Sequence, residues 1–253
     1  MANIFEQYGI KEVADVTIYK INKDNTYTPF LFLDTLKVST IEQTAEQSDA
    51  RGGKGNPKLI TWDYGKEINL TLEDALYSPR SMAVMWGDKD GNWDAVTTIT
   101  KFIKYTPTAD TSAGTTLKIK DANGAEWTYK GHLADDGTYT SAGTLKANQT
   151  YSVEVTATAS NGEAKKLVIT AEGFPGTYKI VGDTYARNRK TGEDKYFQFI
   201  IPKAKMSAEQ TLTLEAEGDP TTFNLNLTVL RPESGNMMEL IQYNLPTATD
   251  EGE

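Results

Sequence analysis

Apolar and polar residues alternate with period two along most of the chain, in segments rich in Thr, Val, Ile, Tyr and Phe. That is the pattern of strands with one covered face. Val13 to Lys20 predicts a strand, Phe30 to Asp34 is a short apolar run, and Leu36 and Val38 alternate with Lys37 and Ser39. Ile68, Leu70 and Leu72 alternate with Asn69 and Thr71. Leu117 and Ile119 lead into Asn123-Gly124, a hairpin signal, and Trp127 and Tyr129 return from it. Tyr151, Val153 and Val155 share one parity, Ser160-Asn161-Gly162 reads as a turn, and a strand is expected from Lys166 to Thr170. Phe197 to Ile201, Thr211 to Glu215, Phe223 to Val229 and Met238 to Tyr243 bring the total to roughly a dozen strands, at the turn spacing of a sandwich or barrel.

One segment departs from this period. Leu72, Ala75, Leu76, Met82, Met85 and Trp86 fall on one helical face. Pro79 cannot sit inside a helix but suits its first position, with Ser78 as the N-cap. The segment is therefore either one kinked helix or a turn followed by a helix over 79–86, ended by Gly87. The fold class expected is mainly β, a sandwich or barrel with one packed α-helix.

Two stretches carry no period. Glu42 to Lys58 is polar, glycine-rich and too long for an ordinary connection, which predicts an irregular loop with a function or without order. Thr106 to Thr115 is a Thr/Ser/Gly/Pro linker. It opens a block over 107–172 of simple hairpins, a candidate inserted β domain within a core of 1–106 and 173–246. The tail 247–253 is acidic and expected to be disordered.

Composition narrows the function. The chain has 253 residues, no cysteine and one histidine. Disulfides, thiolate catalysis, zinc fingers and a two-histidine zinc site are excluded. His132 reads as a surface residue beside a hairpin, and no Gly-x-Ser-x-Gly elbow is present. The reading is of a protein that is not an enzyme and needs no cofactor. Nor is there a run of about 20 apolar residues or a signal peptide, so no membrane partner is expected. A net charge of -9 disfavours a grip on nucleic acid phosphates.

Other candidates are weak. Asp88, Asp90, Asn92 and Asp94 stand at the alternating positions of a calcium loop, but the closing acidic position is Ile99. They read as a polar turn, with no metal. Arg51-Gly-Gly-Lys54-Gly lacks the spacing of a phosphate loop, and Arg187, Arg189 and Lys190 read as a solvated hairpin tip.

Five segments carry a resemblance: Trp62 to Leu76, Gly176 to Arg189, Phe197 to Lys205, Glu215 to Leu227 and Met237 to Tyr243. Together they resemble the major tail tube proteins of tailed bacteriophages, over about 1–106 and 173–246. The block 107–172 lies outside the resemblance.

The resemblance implies stacked hexameric rings in the virion tail, assembled in the host bacterial cytoplasm. It implies strands lent by each subunit to a barrel around a lumen through which DNA passes on ejection without specific binding. The polar parity of the candidate staves then marks lumen positions Asn69, Thr71, Thr211, Thr213, Glu215, Asn224, Asn226 and Thr228. The loop from Glu42 to Lys58 becomes an inter-ring contact through Gln43, Glu46, Asp49, Arg51, Lys54 and Asn56. The implied partners are further copies of the chain and the tape-measure, tail terminator and baseplate proteins; a tail sheath is left open. The competing readings are a capsid decoration protein and a host- or carbohydrate-binding β-sandwich module.

Overall fold

The computed structural model describes residues 6–114, 116–159, 163–214, 216–217 and 220–244. The expected turn at 160–162, the tail 247–253 and Glu215 lie outside them. In chain order the elements are β1 (Tyr8–Ile10), β2 (Asp15–Ile21), β3 (Tyr27–Leu33), β4 (Leu36–Arg51), β5 (Lys58–Asp74), α1 (Pro79–Met85), β6 (Asp94–Ala95), β7 (Thr98–Tyr105) and β8 (Lys118–Lys120). They continue with β9 (Glu126–Leu133), β10 (Tyr139–Ser141), β11 (Tyr151–Thr158), β12 (Lys165–Lys166), β13 (Thr177–Asn188), β14 (Asp194–Met206), β15 (Phe223–Val229) and β16 (Glu239–Tyr243). The protein is mainly β, and α1 is the one helix among the described residues. That helix is far too short to cross a membrane. Two compact units form: Met1–Asn92 with Ile169–Glu253, and Trp93–Val168.

The first unit is one antiparallel sheet in the order β3-β2-β13-β14-β15-β5-β4, with β1 added on β13 and β16 on β14. Alternation explains why it holds. Val16 and Ile18, Leu31 and Leu33, Ile68, Leu70 and Leu72, Ile180, Ile201, and Leu225 and Leu227 turn one face inward and are almost fully buried. Neighbouring polar positions on the same strands point outward. Val84 and Met85 of α1 join that cluster, so the helix covers the apolar face the sheet presents.

The helix starts at Pro79, the second of the two expected forms. Ser78 Oγ accepts from the Ser81 N–H at 3.0 Å, and Ser81 Oγ accepts from the Ser78 N–H at 2.9 Å. This reciprocal cap satisfies two backbone donors that the first turn leaves free. Leu72 belongs to β5, not to the helix. Gly87 stops the helix at a φ of 100°. A Cβ there would sit 2.5 Å from the carbonyl oxygen of Gly173, so the two glycines let two backbones touch.

The second unit pairs β10-β9-β11-β7, with β8 on β9, and holds a separate two-stranded ribbon of β6 and β12. It therefore takes in β7, which precedes the 107–172 block expected from the linker. Ile119, Tyr129, Leu145, Tyr151, Val153 and Val155 make its own core. His132 is buried, not on the surface: its Nδ1 shares a 2.7 Å hydrogen bond with Tyr129 Oη, and Tyr151 meets its ring edge-on. A bulge in β9 between the partners of Glu154 and Val155 turns His132 inward opposite Val153.

Two predicted strands are corrected. Residues 211–214 are not a strand. Leu212 and Leu214 alternate with threonines, but neither is buried, and Leu214 is 83% exposed. The strand expected from Lys166 to Thr170 shrinks to the two residues of β12, with Val168 and Ile169 exposed beyond it.

Asp121 ties the β8–β9 turn together. Lys101 Nζ lies 2.8 Å from its carboxylate, and the Trp127 indole and the Ala125 and Asn123 N–H groups also donate to it. These donors, Lys101 above all, push its pKa down to about 2. Its folded value lies below its ordinary 3.8, so the stabilisation is whole above that pH and is lost as pH falls towards about 2. The stability difference between the native chain and Asp121→Asn should be constant above about pH 5 and shrink steadily below about pH 4. Urea unfolding read by hydrogen exchange in Glu126–Leu133 measures it; a gap that persists at pH 2 would refute the assignment.

Candidate assembly surfaces

The expected loop at Glu42 to Lys58 is instead the far half of a β-hairpin. β4 and β5 pair from Leu36↔Asp74 out to Arg51↔Lys58. At about 3.4 Å per residue this is a ribbon of roughly 50 Å. Its turn is closed by the Gly52 N–H on the Pro57 carbonyl at 3.2 Å and the Asn56 N–H on the Gly53 carbonyl at 3.1 Å. Gly53, Gly55 and Asn56 all take positive φ there.

Only the near part of the ribbon is covered. Ile68, Leu70 and Leu72 are buried, whereas every residue from Gly53 to Glu67 and from Glu42 to Ser48 is exposed. Beyond the core the ribbon is an arm with two open faces. One face is clasped by polar contacts: Gln47 Nε2 to Asp63 at 2.9 Å, Thr61 Oγ1 to Asp49 at 2.9 Å, and Lys58 Nζ to Asp49 at 2.8 Å. Lys58 and the other donors lower the Asp49 pKa. The other face carries Ile60, Trp62 and Tyr64, each a little over 50% exposed, opposite Ala50, Ser48 and Glu46. An isolated two-stranded ribbon is marginal in water, and an exposed apolar stripe marks a contact surface.

The six residues expected to make an inter-ring contact are spread over this arm. Gln43 stands opposite Ile68 near the root, Glu46, Asp49 and Arg51 lie along β4, and Lys54 and Asn56 are in the turn. The sequence reading missed the stripe itself. Its signal was present in the alternation of Ile60, Trp62 and Tyr64 with Thr61 and Asp63.

A second surface lies on the outer face of β4, β5 and β15. Register brings Asn224 opposite Glu73, Asn226 opposite Thr71 and Thr228 opposite Asn69, with Thr40 and Glu42 of β4 beside Thr71 and Asn69. Thr228 Oγ1 donates to Asn69 Oδ1 at 3.0 Å. Asn69, Thr71, Asn224, Asn226 and Thr228 thus form one polar field, joined by Glu42 and Glu73, which parity reading had not included. Thr211 and Thr213 are not in it, because their segment pairs with no strand; Glu215 lies outside the described residues.

The charge is segregated. The second unit holds eight lysines and eight acidic residues, so the whole net charge of -9 resides in the unit that carries the polar field and the arm.

The remaining candidates are occupied by ordinary contacts. The Asp88 carboxylate accepts the Asp90 and Asn92 N–H groups at 2.8 and 3.1 Å, and Asp90 pairs with Lys20 at 2.6 Å. Asp94 lies in β6 of the second unit. Among the described residues no cluster of three or more His, Asp or Glu is arranged for a metal. Arg187 is bidentate on Asp194, and Arg189 bonds Gln7, which ties β1 to the β13–β14 turn.

Residues 8–241 match the YomU/Tube protein family. The chain is similar to the protein named "Tail tube protein" of Bacillus phage SPR, with 27% identity over 220 residues that span 81% of this chain and 78% of that one.

The uncovered arm should open readily in the dilute chain. Amides of Glu46–Arg51 and Lys58–Tyr64 should exchange at least about a hundredfold faster than those of Ile68–Asp74. Hydrogen-exchange mass spectrometry reads the two sets separately, and equal protection would show the arm to be stable alone.

Proposed function

Because this chain belongs to the YomU/Tube protein family, we propose that it is the structural subunit of a phage tail tube, built from stacked hexameric rings around an acidic channel for DNA. The observation that carries this reading is the arm: a ribbon open on both faces with an apolar stripe gains its stability from another copy of the chain. The arm of one ring lies on the next. This contact joins different patches on the two partners, so the stack does not close on itself and extends as a filament.

The outer strands supply the ring. Within one subunit the sheet is open, with β3 and β4 at the two ends of its path and β1 and β16 each paired on one side only. Unpaired edges invite pairing or aggregation, and closing them against neighbours in a ring removes them. The polar field of Asn69, Thr71, Asn224, Asn226 and Thr228 then faces the lumen, with Glu42 and Glu73. Amides and hydroxyls keep that surface wet, and the carboxylates repel passing phosphates, so DNA moves through without adhering. The subunit's work is structural and needs no catalytic group. Tape-measure, terminator and baseplate proteins meet the same tube at its bore and ends.

Two outcomes test the reading. Trp62→Ser with Ile60→Ser should abolish long tubes in negative-stain electron microscopy while far-UV circular dichroism of the subunit stays unchanged. Long tubes from that variant would remove the arm from the assembly. Glu42→Lys with Glu73→Lys should leave tube length unchanged but make the tubes retain DNA, in a manner relieved by salt. Variant tubes that retain no DNA in low salt would count against a bore-facing position for this surface.

A further inference from the structure

The sheet of the second unit has one covered face and one bare face. Tyr129, His132, Val153, Val155 and Ile103 point to the covered side, where the unit's core lies. On the bare side, register sets Phe102 of β7 beside Glu154 of β11, and Glu154 beside Gly131 of β9. Tyr139 of β10 reaches across Gly131 and donates its hydroxyl to the Glu154 carboxylate. The glycine is required: a Cβ at 131 would lie 2.4 Å from the Tyr139 hydroxyl oxygen and 2.6 Å from Cζ. One row further along, Lys104 Nζ donates to Ser152 Oγ at 2.6 Å, and Leu133 stands next to them. Phe102 is 52% exposed and Tyr139 44%.

This is a built arrangement. Two aromatic side chains flank a carboxylate across two strand intervals, which is about 10 Å. The tyrosine is held down by a glycine and a hydrogen bond, so little side-chain entropy is left to lose on binding. Both flanking charged groups already hold a hydrogen bond inside the face, Glu154 from the Tyr139 hydroxyl and Lys104 to Ser152 Oγ, and the unit as a whole carries no net charge, with eight lysines against eight acids. At the centre of this face a polyanion meets Lys104 only one row from the Glu154 carboxylate, not a cluster of cations. The acidic unit of a second copy finds no complementary field either. A neutral, polyhydroxylated chain does fit. Its polarised C–H groups lie on the electron-rich ring faces, and its hydroxyls donate to Glu154 and accept from Lys104.

We infer that the bare face of the second unit, centred on Phe102, Tyr139 and Glu154, is a binding site for neutral polysaccharide. It gives the subunit a weak adhesive activity, separate from assembly and independent of the arm.

The test is native electrophoresis of the full chain at low concentration in gels containing hydroxyethylcellulose, dextran, galactomannan or arabinogalactan. At least one polysaccharide should retard the protein. Phe102→Ala and Tyr139→Ala should each weaken that retardation about tenfold. Phe32→Ala, which removes an exposed aromatic of the first unit, should leave it unchanged. Circular dichroism of each variant establishes that the unit still folds. Three outcomes overturn the inference: no retardation in any gel, retardation that survives both substitutions, or a loss of self-association in Phe102→Ala and Tyr139→Ala that marks the face as a contact between copies.

Discussion

The pairing of β4 with β5 is the contact on which the rest depends. At its root the two strands add to the main sheet and press Leu70 and Leu72 onto the same core as Leu225, Leu227 and α1. Past Ile68 the same ladder leaves the core and runs on with both faces in water. The root supplies the stability that a lone ribbon lacks, and the far half extends that register into solvent. One hairpin therefore has two energetic regimes. The buried half fixes where the polar field lies, and the bare half is free to be stabilised by whatever it meets.

How much of this was legible in the sequence follows from what covers each segment. Ile68 to Leu72 and Phe223 to Val229 alternate cleanly because one face of each is buried, and so five of the eight expected field residues fall together. Ser78-Pro79 named the helix start through backbone chemistry that needs no tertiary partner. The arm reads as a loop because its outgoing strand, within Glu42 to Lys58, is polar at both parities, and only the return strand alternates, through Ile60, Trp62 and Tyr64. Residues 211–214 differ in the opposite sense, with alternation present and neither leucine buried. His132 was misplaced because its burial comes from a bulge in β9, which a count of parity along the chain does not register.

Charge separates the two units as clearly as packing does. The unit with the arm and the polar field carries the entire excess of acid, and the other is balanced. An acidic surface lined with amides and hydroxyls suits the passage of a polyanion. A balanced one with hydrogen-bonded charges and open rings suits a ligand without charge. The division of labour proposed for the two units thus rests on the same distribution of lysines and carboxylates.

The contact between Gly87 and Gly173 has a consequence for what the first unit can carry. The chain leaves the first unit after Asn92 and re-enters it at Ile169, close in sequence to this pair of touching backbones. The departing and returning strands of chain are thus clamped together inside the first unit, whatever is carried between them. Replacing the carried domain by a short bridge closes only a small loop, and lengthening it adds a cost that grows just logarithmically. The first unit is in this sense a socket: the length of chain carried between Asn92 and Ile169 can change at little entropic cost to the sheet, the helix and the arm.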